Sequence, residues 1–449
     1  MIIGNRLTSY CSRITSLALL FAVCISTMAQ EKERPKLKDF GSSLKRIKWD
    51  EATKSAVDVK SKSTATAASE DIDVVKVETS LVSNDVLVLD ARGNFVSGLT
   101  EKDFSVAEDG TPQQVGMFSL GENAKVPRSI VLIIDYSGSQ FPFISTSVTA
   151  AKMLVDKLAP LDSMAIVTDD VELIQDFTKD KNKLKSKLDS LLKKVIPNED
   201  MNNFENLRAK HFGRSKQYSA LLATLREAFN SEDQRPVVIF QTDGDQIGSL
   251  RNSPIPYRGL AAGLVDKRSA AVARKFDEEN RTQFSLDDIY RAAEKARATI
   301  YTVVSEHQML GRPFDEVLAE VKSRAERTLQ SFPIPSSMMR EQRERLEKLR
   351  AFLLSDEQLK ISAEDGIKMQ SALASVATST GGWTMFLEKP DDADHIYSSI
   401  FSDINRRYIV GYYPTNKEHD GKRRKIDLTV RDHPEYTIVG RRWYYAADQ

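Results

Sequence analysis

Between Ser129 and Asp135 the chain carries five consecutive apolar residues, Ile130, Val131, Leu132, Ile133 and Ile134, and then breaks into the hydroxyl turn Ser137-Gly138-Ser139. The run is too short for a typical helix and is rich in β-branched residues. It predicts a strand buried on both faces, as in a parallel sheet. Helical and strand patterns then alternate. A helix is expected over about 145–158, with Ala150, Met153, Leu154 and Leu158 on one face, and a strand over Ser163–Thr168. Amphipathic helices follow over 183–194 and Tyr218–Phe229. Pro236–Asp245 reads as a second apolar strand ending in acidic turn residues, Ala298–Val304 as a third, and 393–406 as a last helix. Such alternation predicts an α/β fold, a Rossmann-like doubly wound parallel sheet with helices on both sides.

The flanks have a different period. Over 73–122 the pattern is short strands and turns: Val74–Val77, Asp85–Asp90 and a hairpin around Asp109-Gly110. Thr100 to Asp103 has capping-box spacing. Over 405–447 strands return as Y-I-V-G-Y-Y-P-T, K-I-D-L-T-V and Y-T-I-V-G-R-R-W-Y-Y. The first set is too small to bury two faces alone. The two flanks are therefore expected to combine into one β-sandwich-like module around an α/β domain spanning 127–404. Two stretches, 246–285 and 307–368, exceed a compact version of that domain and are charged and mostly helical in pattern. In the second, Glu341/Arg345 and Glu344/Lys348 stand at i,i+4 spacing, with Leu346, Leu349 and Leu353 on one stripe. A solvated helical insertion accounts for this better than a coiled coil.

Composition narrows the setting. Lys plus Arg and Asp plus Glu number 64 each, so no global basic bias points to nucleic acid. Arg6 and Arg13 precede the apolar run Leu17–Ile25, and Thr27 and Ala29 suit cleavage before Gln30. Residues 1–29 thus read as a signal peptide, too short to stay as a membrane-spanning helix. A lipoprotein reading at Cys24 ranks second, because Val23 precedes it. Residues 30–72 read as a flexible linker, with Leu44, Ile47 and Trp49 as its apolar exceptions. The expectation is an exported protein, periplasmic or at the cell surface, without a transmembrane helix in the mature chain. Both cysteines, Cys11 and Cys24, fall in the leader, so the mature chain has no thiol for catalysis, zinc or disulfides.

Candidate chemistry gathers where the apolar strands stop. Asp135, Ser137 and Ser139 form a nest of oxygens at a strand's carboxyl end, where ligands of open α/β sheets collect. Such oxygens suit a hard cation such as magnesium, although a plain polar turn after a core strand has the same composition. V-L-I-I-D-Y-S-G-S resembles the metal-ion-dependent adhesion site of von Willebrand factor type A domains, and V-V-I-F-Q-T-D-G-D resembles that fold's third loop. The flanks G-L-T-E-K-D-F-S-V-A-E-D-G-T-P-Q-Q-V and R-R-Y-I-V-G-Y-Y-P-T resemble secreted bacterial proteins of this type. The resemblance covers about Val74 to Ala446, apart from the two insertions.

It implies metal ligands at Asp135, Ser137 and Ser139 from the first loop, Ser215 from the middle loop and Asp243 from the third. Serine stands at 215 where the family has threonine, and Tyr136 and Gln140 depart from the commoner motif. A bulky phenol at 136 is expected near the rim of the site. The resemblance further implies one divalent cation, magnesium or else manganese or calcium, and capture of an acidic protein ligand through it. Catalysis has little support. Ser137 is not in a nucleophile elbow, the five histidines are scattered, and no H-E-x-x-H or phosphate-binding glycine loop occurs. A structural envelope protein with a degenerate site, or less readily a secreted hydrolase, are the competing readings. The oligomeric state is not legible.

Overall fold

The computed structural model describes residues 47–50, 55–58, 81–120, 128–137, 140, 143–195, 216–229, 235–253, 255, 281–331, 334 and 338–446. The predicted leader, the Val74–Val77 strand, most of the linker and most of the first insertion lie outside the described residues, as do Ser139 and Ser215. A short antiparallel pair, β1 (Ile47–Asp50) and β2 (Ser55–Asp58), precedes the main elements. The first flank supplies β3 (Val82–Leu89), β4 (Phe104–Glu108), β5 (Thr111–Gln113) and β6 (Val115–Leu120). Then come β7 (Arg128–Ile134), α1 (Ile144–Asp156), β8 (Ser163–Thr168), β9 (Leu173–Thr178), α2 (Lys181–Val195), α3 (Gln217–Glu227) and β10 (Arg235–Thr242). The chain continues through α4 (Leu286–Ala296), β11 (Thr299–Val304), α5 (Phe314–Ser331), α6 (Arg340–Leu353), α7 (Asp356–Ser379), β12 (Thr384–Phe386) and α8 (Asp392–Arg406). It ends in β13 (Tyr408–Tyr412), β14 (Arg423–Val430), β15 (Thr437–Val439) and β16 (Trp443–Tyr445).

Six of these strands form a sheet in the order β12-β11-β10-β7-β8-β9. β7 is parallel to both neighbours, β10 and β8, and β11 and β12 continue the parallel run; β9 alone is antiparallel. Counted along the chain the order is 6-5-4-1-2-3, that of a doubly wound fold whose winding reverses between β7 and β10. Side chains alternate across each strand, so β7 serves two cores. Ile130, Leu132 and Ile134 pack with Leu154 of α1, Leu184 and Leu188 of α2 and Ile396 and Ile400 of α8. Val131 and Ile133 pack with Leu221 and Leu225 of α3, Ile289 of α4 and Leu373 and Val376 of α7. All five are buried, each worth roughly 1.5–3 kcal/mol relative to exposure. That is why the run carries no polar alternation. β9 and β12, both edge strands, are missing from the periodicity reading because edge strands this short and half-covered leave no apolar run.

The second predicted insertion is helical. α5, α6 and the start of α7, up to Glu364, fall in one compact unit, within which Arg350 donates to the Leu329 carbonyl.

The flanks combine into two four-stranded antiparallel sheets, β15-β3-β13-β6 and β16-β14-β4-β5. Each draws strands from both ends of the chain, as in Val86↔Tyr408 and Glu108↔Ile426. Val86, Val88, Phe104, Val106, Tyr408, Val410 and Ile426 fill the space between them. The predicted hairpin turn has positive φ at both Asp109 (47°) and Gly110 (82°), the geometry an Asp-Gly pair is suited to. Thr100 and Asp103 form the expected capping box. Glu108 is buried, accepting from the hydroxyls of Tyr412 at 2.9 Å and Tyr444 at 2.7 Å, with the Arg424 guanidinium 3.3 Å away. The tyrosines of the last strands therefore serve packing, whereas Tyr413 and Trp443 stay exposed.

A fully buried arginine joins this module to the α/β sheet. Arg407, in the α8–β13 turn, donates to Asp403 Oδ2 at 2.6 Å and to the carbonyls of Asp85 and Gly381. Asp403 Oδ2 also accepts from Tyr301 Oη at 2.7 Å and Trp383 Nε1 at 3.0 Å. Removing the guanidinium would strand a buried carboxylate and two carbonyls. Arg407→Leu is expected to lower the unfolding free energy by about 3–5 kcal/mol in urea titration, and Asp403→Asn added to it should recover part of the loss. An Arg407→Leu loss below about 1 kcal/mol would contradict this account of the junction.

Candidate functional site

β7 and β10 run parallel with Ile134 opposite Gln241, and the Asp135 amide donates to the Gln241 carbonyl at 3.0 Å. Asp135 therefore leaves the sheet level with Thr242, and Asp243 follows one residue later. Both carboxylates project where the winding of the sheet reverses, the crevice in which α/β sheets hold ligands.

Their hydrogen bonds converge. Asp135 Oδ1 accepts from the Ser137 amide at 2.9 Å, and Oδ2 accepts from Thr242 Oγ1 at 2.9 Å and from Gln217 Nε2. The same Gln217 nitrogen donates to Asp243 Oδ1 at 2.8 Å. Asp243 Oδ1 also accepts from the Asp245 amide at 3.1 Å, and its Oδ2 from Gln140 Nε2 at 2.8 Å. Gln217 opens α3, and its Oε1 accepts from the Gln246 amide at 3.1 Å. Gln246 in turn caps α3, its Oε1 accepting from the amides of Tyr218 at 2.6 Å and Ser219 at 3.1 Å. These amides are otherwise unpaired at a helix start. The two glutamines thus pin the α3 N-terminus to the 3₁₀ turn Asp245–Ser249.

Of the five residues singled out in the sequence, Asp135, Ser137 and Asp243 come together, while Ser139 and Ser215 lie outside the described residues. Tyr136 is not at the rim. It is 7% exposed and packs in the core beside α1, its hydroxyl donating to Asp170 Oδ2 at 2.6 Å and its amide to Asp169 Oδ1 at 3.1 Å. Burial and the Asp170 carboxylate push its phenol well above the usual range. The side chain anchors the first loop to the end of β8 and leaves the crevice clear of a phenol. Gln217 and Thr242 were not singled out in the sequence, and Gln140 stood out only as a departure from the commoner motif. Gln140 immediately follows the D-Y-S-G-S turn and Gln217 stands two residues after Ser215, but a glutamine has no motif value until its partners are known.

Charge is tight here. Asp135 is 2% exposed, and burial followed by the Asp243 carboxylate push its carboxyl up to about 7. Asp245 remains exposed at the edge of the site, yet the surrounding protein and then the carboxylates of Asp243, Asp135 and Glu306 raise it to about 7. Given its exposure, the neighbouring charges are the stronger reason. Gln140 is 1% exposed and its Oε1 has no hydrogen-bond partner, a buried acceptor with capacity to spare. Among the described residues no group of three or more His, Cys, Asp or Glu could hold a metal by itself. Any cation here would depend on hydroxyl and amide oxygens beside the two carboxylates. That donor chemistry suits magnesium or manganese better than zinc.

No protein-family model matches the chain, and no curated protein matches it significantly. Solved structures to which it is similar include the conserved hypothetical protein BatB of Bacteroides thetaiotaomicron, 12% identical over 62% of this chain and 98% of that one, with a TM-score of 0.32. A von Willebrand factor type A structure from Catenulispora acidiphila is 11% identical over 77% of this chain and 73% of that one, TM-score 0.30. The manganese-loaded TRAP protein of Plasmodium vivax is 10% identical over 77% and 100%, TM-score 0.27. At these overlaps the fold assignment rests on the strand order and register described above. Among the described residues no helix is long and apolar enough to cross a membrane.

The carboxylate pair has a pH signature. An acid whose folded value exceeds its unfolded one holds the extra proton in the native state. Its contribution is fully present below the unfolded value of 3.8 and is lost as pH rises through about 7. Metal-stripped protein should therefore lose stability between pH 4 and pH 7.5. Asp135→Asn should be flatter over that window and more stable than the parent at pH 7.5, by roughly 1–3 kcal/mol. Parallel pH profiles for the two proteins in urea denaturation would contradict the repulsion.

Proposed function

We propose that this is an exported binding module of the von Willebrand factor type A kind, in which a divalent cation at the β7–β10 crevice captures an acidic group of a protein partner. The observation that carries the reading is the meeting of Asp135 and Asp243 at the reversal point of the sheet, with hydroxyl donors on the same loops. Asp135, Ser137 and Asp243 would hold the ion, with Ser139 and Ser215 as further candidates. The unpartnered Gln140 Oε1 is a spare neutral oxygen close to Asp243. When bound, the ion supplies a Lewis-acidic position that favours an anionic oxygen.

The protein's own residues do the rest. Thr242 and the Ser137 amide orient the Asp135 carboxylate, and the Asp245 amide and Gln140 orient Asp243. Ser137 contributes a neutral hydroxyl, which leaves cation charge to be met by a ligand rather than cancelled by the protein. The reading is one of binding rather than turnover.

Calorimetric titration of the mature chain with magnesium and with manganese is expected to show one site. Asp135→Ala should abolish it while the protein stays folded by circular dichroism. Equal binding by the parent and Asp135→Ala would overturn the assignment.

A further inference from the structure

We propose that Gln217 is a built-in latch on the carboxylate pair: its side-chain amide stands in for cation charge, and it must withdraw before a divalent ion can be held by both Asp135 and Asp243. This inference rests on the cation-binding reading above and adds to it how access to the site is controlled.

The geometry is specific. One nitrogen, Gln217 Nε2, donates to both Asp135 Oδ2 and Asp243 Oδ1, the facing oxygens of two carboxylates that otherwise repel. An NH2 group has two hydrogens, and both are committed there. The amide's other end is committed as well, since Oε1 accepts from the Gln246 amide. Gln217 is fully buried, so no solvent competes for these bonds. A cation attracted to both carboxylates is attracted to the oxygens that Nε2 now holds. A neutral amide and a cation cannot share them, because the NH2 hydrogens carry positive partial charge and would be repelled by the ion.

A second buried group points to the same place. Gln140 reaches Asp243 from the opposite loop with its Nε2, and leaves its Oε1 without a partner. In the closed arrangement both glutamines thus present donors to the carboxylates. With Gln217 withdrawn, Gln140 has an unused acceptor ready beside Asp243, reachable by an amide flip that exchanges its oxygen and nitrogen.

The latch is also wired to a helix. Gln217 is the first residue of α3, and its Oε1 accepts from the backbone amide of Gln246, whose side chain caps that helix at Tyr218 and Ser219. Withdrawing Gln217 frees the Gln246 amide, so cation uptake is coupled to how α3 meets the 3₁₀ turn after β10. The device favours a site that is closed and charge-compensated without metal, and opens only when cation concentration repays two charge-assisted hydrogen bonds.

The test is manganese titration of the full mature chain by calorimetry, with thermal melting in parallel, on the parent, Gln217→Ala and Gln217→Met. Gln217→Ala is expected to bind manganese about tenfold or more tightly than the parent, because two charge-assisted bonds no longer need breaking. Its melting temperature without metal should fall and be restored by manganese. Gln217→Met keeps the side chain's length and fills its space without a donor; it should show the same tightening, and decides the matter if Gln217→Ala does not fold. Equal affinity in parent and variants would overturn the latch while leaving the cation site standing. No manganese binding by any of the three would overturn the cation site and the latch with it. Binding by the variants alone would support a latch strong enough to keep the parent closed.

Discussion

Two carboxylates that repel one another share a single amide nitrogen, and much of the crevice is arranged around that conflict. The parallel pairing of β7 and β10 brings Asp135 and Asp243 to the same end of the sheet, so the repulsion follows from backbone register. Donors answer it from several sides: Thr242, the Ser137 and Asp245 amides, Gln140 and Gln217. Burial raises what these donors are worth and also raises the penalty if one is lost. The pair is compensated by neutral donors alone, which is the physical basis of the cation-binding proposal.

The rigidity this needs comes from elsewhere. β7 is packed on both faces, so its end cannot shift without disturbing two cores. Tyr136 anchors the first loop by burying its ring in the core beside α1 and placing its hydroxyl on Asp170. Farther off, Arg407 holds the α8–β13 turn, and Arg235 pairs with Asp85 at 3.0 Å across the same junction. Arg441 reaches Glu294 of α4 at 2.7 Å while its backbone exchanges hydrogen bonds with Asn84. The β module built from the two flanks is therefore tied to the α/β sheet by buried charge pairs as well as by chain connection. Such pairs add less net stability than apolar contacts, but they penalise any other docking that leaves one partner bare.

Local patterning made some of this legible. The β7 run, the stripes of α1, α2 and α8, the Asp109-Gly110 turn and the Thr100–Asp103 capping box depend on residues close in sequence, where period and turn chemistry operate. β9 and β12 were not legible, because strands of six and three residues at sheet edges take their place from their neighbours rather than from their own sequence. Tyr136 misled for a related reason: a phenol next to a polar turn looks exposed until α1 and Asp170 are seen around it.

By itself the sequence determined the alternation of elements, the doubly wound class, the pairing of the two flanks and the candidate pair Asp135 and Asp243. The first three follow from side-chain period and the need to cover sheet faces; Asp135 follows from oxygen chemistry at the end of an apolar run, and Asp243 joins it through the resemblance to the type A fold. Only the tertiary structure decided that these two carboxylates meet, and that Gln217, from a helix 82 positions away from Asp135, stands between them. It also decided that Gln140 is left with an unused acceptor. Hydrogen-bond partnership between residues so far apart depends on strand register and helix placement, and glutamine, equally at home on any surface, carries no local sign of which role it will take.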